Sequence, residues 1–395
     1  MRIVFLVQEG FANRRSTAIW QRLDSVSRAC DASIITSGSV PTNLTALEVL
    51  QVDTKVRART GGPMKQLYRR AVFGLKAFRR VSQLTRSGRR PDWIYTFHNY
   101  DLITGALFRI AGYKWVVDVL DPPNLVLEDV PGALRQRRVV KVALLYLFVL
   151  LAKLAIRRAH LVIVSAPDPN TGFAALLRTE YRVPPEKLVA VPNGVDPELI
   201  LSSPPLEPGP GEALRALYVG TVGTQRGTFF LLDVIAEVRR HVPINLMIVG
   251  PAEGDAGIRL QAQISEMHLD EDVQWLGPLP HSEVIERIDR CHLGLYPFPN
   301  SGVLDGVIPI KVGEYMARGK PVVASDLTGV RALVADGCTG FLVQPLLLEA
   351  WVRALVALAQ DERMRLRMGM EGAARAKNLA WPLINESVVS ALAAF

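Results

Sequence analysis

The feature that most limits how this chain folds is a set of short, unbroken apolar runs rich in β-branched residues. In the first half they are RIVFLV (2–7), ASIITS (32–37), DWIYTF (92–97), KWVVDV (114–119) and LVIVSA (161–166). In the second half they are ALYVG (216–220), NLMIVG (245–250), VQWLG (273–277), HLGLYP (292–297) and KPVVAS (320–325). A strand with one wet face alternates apolar and polar residues, whereas an unbroken apolar strand is buried on both faces. Helical patterns of about ten or more residues separate most of the runs, which predicts parallel sheets covered by helices. The stretch LSSPPLEPGPGEA (201–213) has no periodicity and divides the runs into two sets. The expectation is an α/β chain of two doubly wound, Rossmann-like domains facing across a cleft. Residues 1–200 form the first, 201–213 the linker and 214–379 the second. At 395 residues and 49% hydrophobic content the chain is long enough for two cores. Ligands of such sheets sit beyond the carboxyl ends of the strands, so the loops there carry the functional question.

Charge separates the halves. Residues 1–200 hold 29 Lys+Arg against 16 Asp+Glu, and residues 201–395 hold 17 against 22, within a net charge of +8. A basic half predicts contact with a polyanion, either nucleic acid or an anionic membrane. The three cysteines, Cys30, Cys291 and Cys338, form neither a disulfide framework nor a zinc spacing, which fits a reducing compartment. The N-terminal apolar run is too short for a signal peptide.

Three loops of the second half stand out. YVGTVGTQRGTFFLL (218–232) reads as strand, glycine turn and helix. Gly220, Gly223 and Gly227 permit a close backbone approach, the helix dipole points at whatever is bound, and Arg226 adds a full charge. That combination suits a phosphate, although a plain strand-to-helix turn has the same outline. The spacing is neither G-x-G-x-x-G nor a Walker motif. Gly277 to Leu279, after the run at 273–277, offers backbone groups to a flat heterocycle or is simply a turn. In IPIKVGEYMARGKPVVAS (308–325), Pro309 begins a helix that places Lys311 and Glu314 one turn apart on one face. A lysine neutralises a diphosphate and a carboxylate accepts both hydroxyls of a ribose, so the pair suits a sugar nucleotide. The bland alternative is a surface ion pair. Asp270-Glu271-Asp272 precedes a strand and reads as a solvated turn, and the six histidines lack ligand spacing, so no metal site is expected.

VPNGVD (191–196), YVGTVGTQRG (218–227), LMIVGPAEG (246–254), VQWLG (273–277) and PIKVGEYMARGKPVVASDLTG (309–329) together resemble, in order and spacing, the C-terminal domain of family 4 glycosyltransferases. These are retaining enzymes of the GT-B fold. The subgroup most resembled acts on lipid-linked surface-polysaccharide intermediates. AWPLINESVVSALAAF (380–395) resembles the last helix of the family, which returns to the first domain. The resemblance implies that Glu314 holds the ribose. It also implies that Lys311, Arg226 and the 220–227 loop (Gly220, Gly223, Gly227) surround the diphosphate, and that Gly277 and Leu279 meet the base. Three positions depart from the family pattern. An earlier glutamate, seven residues separating it from the second, is replaced by Gly306, with Asp305 beside it as a substitute. Thr221 stands where many members carry arginine. Leu120 stands where a histidine often precedes the aspartate, leaving Asp121.

In the first half, QEGFANRRS (8–16) offers Gly10, Arg14 and Arg15 to an acceptor phosphate or to solvent. His98 and Asp121 lie just past strands and, with Asp305, are the candidate catalytic residues; Asp118 is expected to be buried. Residues 55–90 carry twelve Lys+Arg and no acid. A helix through 65–80 puts Lys65, Arg69, Lys76 and Arg80 on one face and Leu67, Ala71, Leu75 and Phe78 on the other. In RRVVKVALLYLFVLLAKLAIRRAH (137–160), Lys141 and Lys153 bracket about 16 Å of uncharged helix, short of the ~30 Å hydrocarbon core. The segment is either a buried helix or one dipped into a membrane face.

The expected function is metal-independent, retaining transfer of a sugar from a nucleotide-diphosphate donor to a hydroxyl of a lipid-linked saccharide. No cofactor is expected. The expected location is the cytoplasmic face of the plasma membrane, with residues 55–90 and 137–160 on anionic lipid. Alternatives are a soluble acceptor and a catalytically silent partner subunit. Nucleic acid is disfavoured because no aromatic platform interleaves the basic segment.

Overall fold

The computed structural model describes residues 1–8, 17–38, 40, 47–53, 63–120, 123, 139–201, 212–300 and 305–395. For residues 17, 18, 47, 63–68, 98–101 and 141 it describes the backbone alone. The chain forms two compact units, Met1–Pro192 with Trp381–Phe395, and Asn193–Ala380.

The first unit is built on seven strands: β1 (Arg2–Val7), β2 (Asp31–Thr36), β3 (Leu47–Gln51), β4 (Trp93–Phe97), β5 (Lys114–Val119), β6 (Leu161–Val164) and β7 (Leu188–Ala190). Their order across the sheet is β3-β2-β1-β4-β5-β6-β7, and every pairing is parallel. Among the described residues, five α-helices connect them: α1 (Thr17–Ala29), α2 (Pro63–Arg86), α3 (His98–Ile110), α4 (Val139–Arg158) and α5 (Gly172–Thr179). All five residues of β4 and all four of β6 are buried, as unbroken apolar runs require. Each of the large apolar side chains among them contributes about 1.5–3 kcal/mol through burial.

The second unit has six parallel strands: β8 (Leu214–Val219), β9 (Ile244–Val249), β10 (Val273–Trp275), β11 (Leu293–Tyr296), β12 (Val322–Ser325) and β13 (Gly340–Val343). Their order is β10-β9-β8-β11-β12-β13. The helices are α6 (Thr228–Val238), α7 (Ala256–Glu266), α8 (His281–Arg290), α9 (Ile310–Ala317), α10 (Thr328–Arg331), α11 (Leu348–Gln360) and α12 (Glu362–Ala376). The last helix, α13 (Trp381–Ala394), belongs to the first unit. There Asn385 Nδ2 donates to Ser25 Oγ at 3.0 Å, and Trp93 Nε1 donates to the Leu392 carbonyl at 3.2 Å.

Three particulars differ from the sequence reading. The division falls at Pro192, before the expected end at 200, because hydrogen bonds stitch residues 193–201 to the second unit. Asn193 Nδ2 donates to the Ile308 carbonyl, Val195 N to Leu379 and Leu201 N to Ala317. Residues 202–211 of the expected linker lie outside the described residues. In α2 the core face is Phe73, Ala77, Val81 and Leu84, whereas Leu75 is 55% exposed. Helix α4 is not a buried helix. Only Val149, Ala152 and Ile156 are buried among its described side chains, while Leu144, Leu147, Leu150 and Leu151 face outward. Among the described residues no helix is long and apolar enough to cross a membrane.

In both sheets the connection reverses direction once, at β1/β4 and at β8/β11. Ligands of open α/β sheets lodge beyond the carboxyl ends at such a reversal.

Candidate active site

At the second reversal the chain after β8 turns tightly. Gly227 has φ +71°, and a Cβ there would meet the Pro297 carbonyl oxygen at 2.0 Å, so the loop lies directly on the segment following β11. Only glycine combines that backbone with that approach. Thr228 Oγ1 lies 3.1 Å from both the backbone N and the carbonyl oxygen of Gly223, which clasps the loop onto the first turn of α6. The neighbouring loops extend the same edge: Gly220 N donates to Val249 O and Gly250 N to Gly277 O, each at 2.9 Å. The ends of β8, β9 and β10 are thereby joined through Gly220, Gly250 and Gly277.

Arg226 closes the loop. Its guanidinium sits 5.2 Å from the centre of the Phe298 ring, and Phe298 stacks on Tyr296 at 4.1 Å. Its Nε lies 3.8 Å from Glu253 Oε1 and has no hydrogen-bond partner. A Cβ on Gly223 would come within 2.6 Å of Glu253 Oε2, so this carboxylate rests on the glycine turn. Glu253 was not singled out in the sequence; nothing in its local pattern distinguishes it from a solvated loop acid.

Helix α9 brings the second group of residues to the same edge. Tyr315 is fully buried, fills the space over Gly294 of β11, and its hydroxyl accepts the Val219 N–H at 2.8 Å. The residue after Glu314 is thus fastened to the last residue of β8, next to the glycine loop. The helix ends in a Schellman turn: Lys320 N donates to Tyr315 O and Gly319 N to Met316 O, with Gly319 at φ +66°. That accounts for the Arg-Gly-Lys-Pro sequence.

Glu314 is 2% exposed, so the surface-pair reading does not hold. Lys311 Nζ donates to its Oε2 at 2.8 Å, and His281 Nε2 donates to its Oε1 at 3.0 Å. Burial pushes the carboxyl upward, but the His281 hydrogen bond and the Lys311 charge outweigh it and hold Glu314 below the ordinary carboxylate value. His281 opens α8, the helix after β10. Sequence reasoning passed over it because its partner lies 33 residues away. The arrangement is a carboxylate held ionised in a buried place, a cation beside it, and a glycine turn whose guanidinium, loosely ion-paired with Glu253, stands at the neighbouring strand end. Such a set receives vicinal hydroxyls and a diphosphate. Leu279 and Gly277 lie at the β10 end of this edge, with Gly277 at φ +70°.

Asp305 is engaged structurally. Its Oδ1 accepts the Thr328 N–H at 3.1 Å, and its carbonyl accepts the Gly329 N–H at 2.7 Å, which caps α10. In the first unit, His98 is the first residue of α3, directly after β4, and is described by its backbone. Gly10, Arg14, Arg15 and Asp121 lie outside the described residues. Asp118 is fully buried with Arg22 and Tyr95. Arg22 Nε is 3.1 Å from Asp118 Oδ2, and the Tyr95 hydroxyl donates to the same oxygen at 2.8 Å. Burial nevertheless carries the Asp118 carboxyl above its usual value. His160 and His292 serve as strand caps: their Nδ1 atoms accept the N–H groups of Trp115 and Arg215. Burial, with nearby cations, lowers them to about 4 and about 3. Asp270 and Asp272 are taken up by Ser265 and Arg239. Among the described residues no cluster of His, Cys, Asp and Glu is grouped to hold a metal ion.

Two parallel-sheet α/β units of this kind define the GT-B fold. A solved structure of HepE from Anabaena, in complex with UDP and glucose, superposes with a TM-score of 0.69 at 20% identity, over 100% of each chain. Residues 207–375 match the family model described as Glycosyl transferases group 1. A D-inositol 3-phosphate glycosyltransferase of Nocardia farcinica is 30% identical over 191 residues, 47% of this chain and 41% of that protein. A phosphatidyl-myo-inositol mannosyltransferase of Mycobacterium tuberculosis is 30% identical over 208 residues, 51% of this chain and 52% of that protein. The alignments thus span about half the length of these curated relatives.

Proposed function

We propose that the protein is a glycosyltransferase that moves a sugar from a nucleotide-diphosphate donor to an acceptor hydroxyl, with retention of anomeric configuration and without a metal. The observation that carries this reading is Glu314, buried yet held ionised by His281 and Lys311 beside the glycine turn. Glu314 receives the ribose. Lys311, Arg226 and the start of α6 take the diphosphate and stabilise it as it leaves, so no metal is called for. Gly277 and Leu279 meet the base. His98 and Asp121 take part in catalysis, and Gly10, Arg14 and Arg15 meet the acceptor. Asp305 has one oxygen committed to α10, which favours Gly306 as an opening for the donor sugar over Asp305 as its holder.

The acceptor hydroxyl is assigned to a lipid-linked molecule of cell-surface polysaccharide synthesis, with the enzyme peripheral at the inner face of the plasma membrane. The outward apolar side chains of α4 and the basic α2 support this assignment. Of the two relatives, one is named for a phosphatidylinositol acceptor and one for an inositol phosphate, so a soluble phosphorylated acceptor is the second reading.

A thermal-shift series with nucleotide sugars on wild type and Glu314→Ala tests the donor site. One donor class should stabilise the wild type and lose most of that effect in the variant. Equal responses would remove Glu314 from the site. Slow donor hydrolysis without acceptor separates an enzyme from a silent binding subunit.

A further inference from the structure

Helix α2 carries two apolar stripes. Phe73, Ala77, Val81 and Leu84 supply the core. Ala71 and Leu75 do not, and Phe78 packs on the edge of that core; the three line a groove against α3 and α4 that encloses about 530 Å³, inside the ~300–1,000 Å³ range of ligand sites. At Gly74, which also lines the groove, a Cβ would meet Thr104 Oγ1 at 2.8 Å, so the two helices touch there. The opposite wall runs along α3 from Leu102 to Ala111, about 14 Å of helix. Its crest is left uncovered: Ile103 is 63% exposed, Leu107 52% and Ile110 82%. Of the thirteen lining residues only Arg70 and Thr104 are polar. Folding does not account for so many outward apolar groups in one place, and a contiguous patch of this kind marks a binding surface.

Charge selects the occupant. Helices α2 and α4 contain no Asp or Glu, while Arg70, Lys76, Arg79, Arg80, Arg157 and Arg158 stand along them. A second copy docking by the same face would bring these cations against each other. A hydrocarbon chain ending in a negative headgroup satisfies both the groove and its rim. We propose that the α2/α3/α4 groove binds one aliphatic chain of an anionic lipid, the lipid that bears the acceptor. The groove begins beside the first turns of α3, the helix that leaves the β1/β4 reversal, and Arg70 stands at that end, whereas Arg79, Arg80, Arg157 and Arg158 stand toward the other, where α2 and α4 run down to the amino ends of the strands; Arg70 is therefore the cation that a headgroup near the strand carboxyl ends meets. This proposal rests on the lipid-linked acceptor reading and adds a defined site for the tail.

The probe is hexadecyl phosphate with a terminal diazirine, photolysed with the full-length protein, and labelled peptides are mapped by mass spectrometry. Saturable labelling within 71–78 and 102–111 is expected, competed by unlabelled hexadecyl phosphate and not by inorganic phosphate. The variants Ala71→Trp and Leu107→Trp, at exposed positions, should reduce it at least tenfold. Leu150→Glu, outside the groove, should leave it unchanged. Three results overturn the proposal: no labelling, non-saturable labelling spread equally over α4 in wild type and variants, or a concentration-dependent dimer that excludes the probe. The donor-induced thermal shift is measured on the same samples. Its retention in the Trp variants shows them folded, and its absence from wild type counts against the donor site alone.

Discussion

His281 Nε2 and Glu314 Oε1 lie 3.0 Å apart, although the two residues sit on different helices and 33 positions separate them. With Lys311 on the other oxygen at 2.8 Å, both oxygens of a buried carboxylate already have donors. In the donor site proposed above, a ribose hydroxyl would add to one of these donors or take its place, on a carboxylate that is already ionised.

Glu314→Gln should therefore preserve the fold and weaken nucleotide-sugar binding about 10- to 100-fold. Hydrogen bonds to a charged group contribute about 1.5–3 kcal/mol. Titration calorimetry with the donor found in the thermal-shift series measures this, and an unchanged Kd would place the ribose elsewhere.

The pH dependence has a definite sign. Because Glu314 is held below the ordinary value in the folded state, its contribution to stability is complete above the unfolded carboxylate value, about 4.3. It is lost as pH falls through the depressed folded value. The melting temperature of wild type should fall more steeply than that of Glu314→Gln below about pH 4.3. Parallel curves would show that the ion pair is not formed.

Arg226→Ala should raise the KM for the donor roughly 10-fold, the effect of one charge-assisted contact of about 1.5 kcal/mol. Arg226→Lys should restore only part of it, since an ammonium keeps the charge but not the delocalised guanidinium that sits 5.2 Å from the centre of the Phe298 ring. Full recovery by lysine would mean that this ring contact is incidental.

Gly227→Ala and Gly254→Ala form a matched pair. Both glycines have positive φ, +71° and +55°, but a Cβ at Gly227 meets backbone at 2.0 Å and one at Gly254 meets nothing within 4 Å. The left-handed backbone costs about 1–3 kcal/mol at each. Denaturant unfolding should show Gly227→Ala to be the more destabilised, with donor binding lost as the loop shifts off Pro297. Equal losses would show that the loop can move away at little cost.

In the first unit, Arg22→Met leaves the Asp118 charge buried without its cation and should cost about 3–5 kcal/mol. Adding Asp118→Asn removes that charge while the amide oxygen still accepts from Tyr95, so the double variant should be more stable than Arg22→Met alone. A further loss in the double variant would contradict this account of the pair.

The sequence by itself determined the class of fold and marked the main residues of the candidate site. Unbroken apolar runs require strands buried on both faces, and a glycine turn before a helix can be recognised locally. Lys311 and Glu314 lie one turn apart in any helix. The strands it left out, β3, β7 and β13, are all sheet edges with runs of three to five residues, where pattern is weakest. Only the tertiary structure decided which of two apolar stripes of α2 enters the core, because periodicity marks a face without saying what covers it. It also decided that Glu314 is buried, that His281 reaches it from α8, and that Glu253 rests on Gly223. These contacts join residues whose separation along the chain carries no signal, and they exist because parallel packing brings the ends of non-adjacent strands side by side.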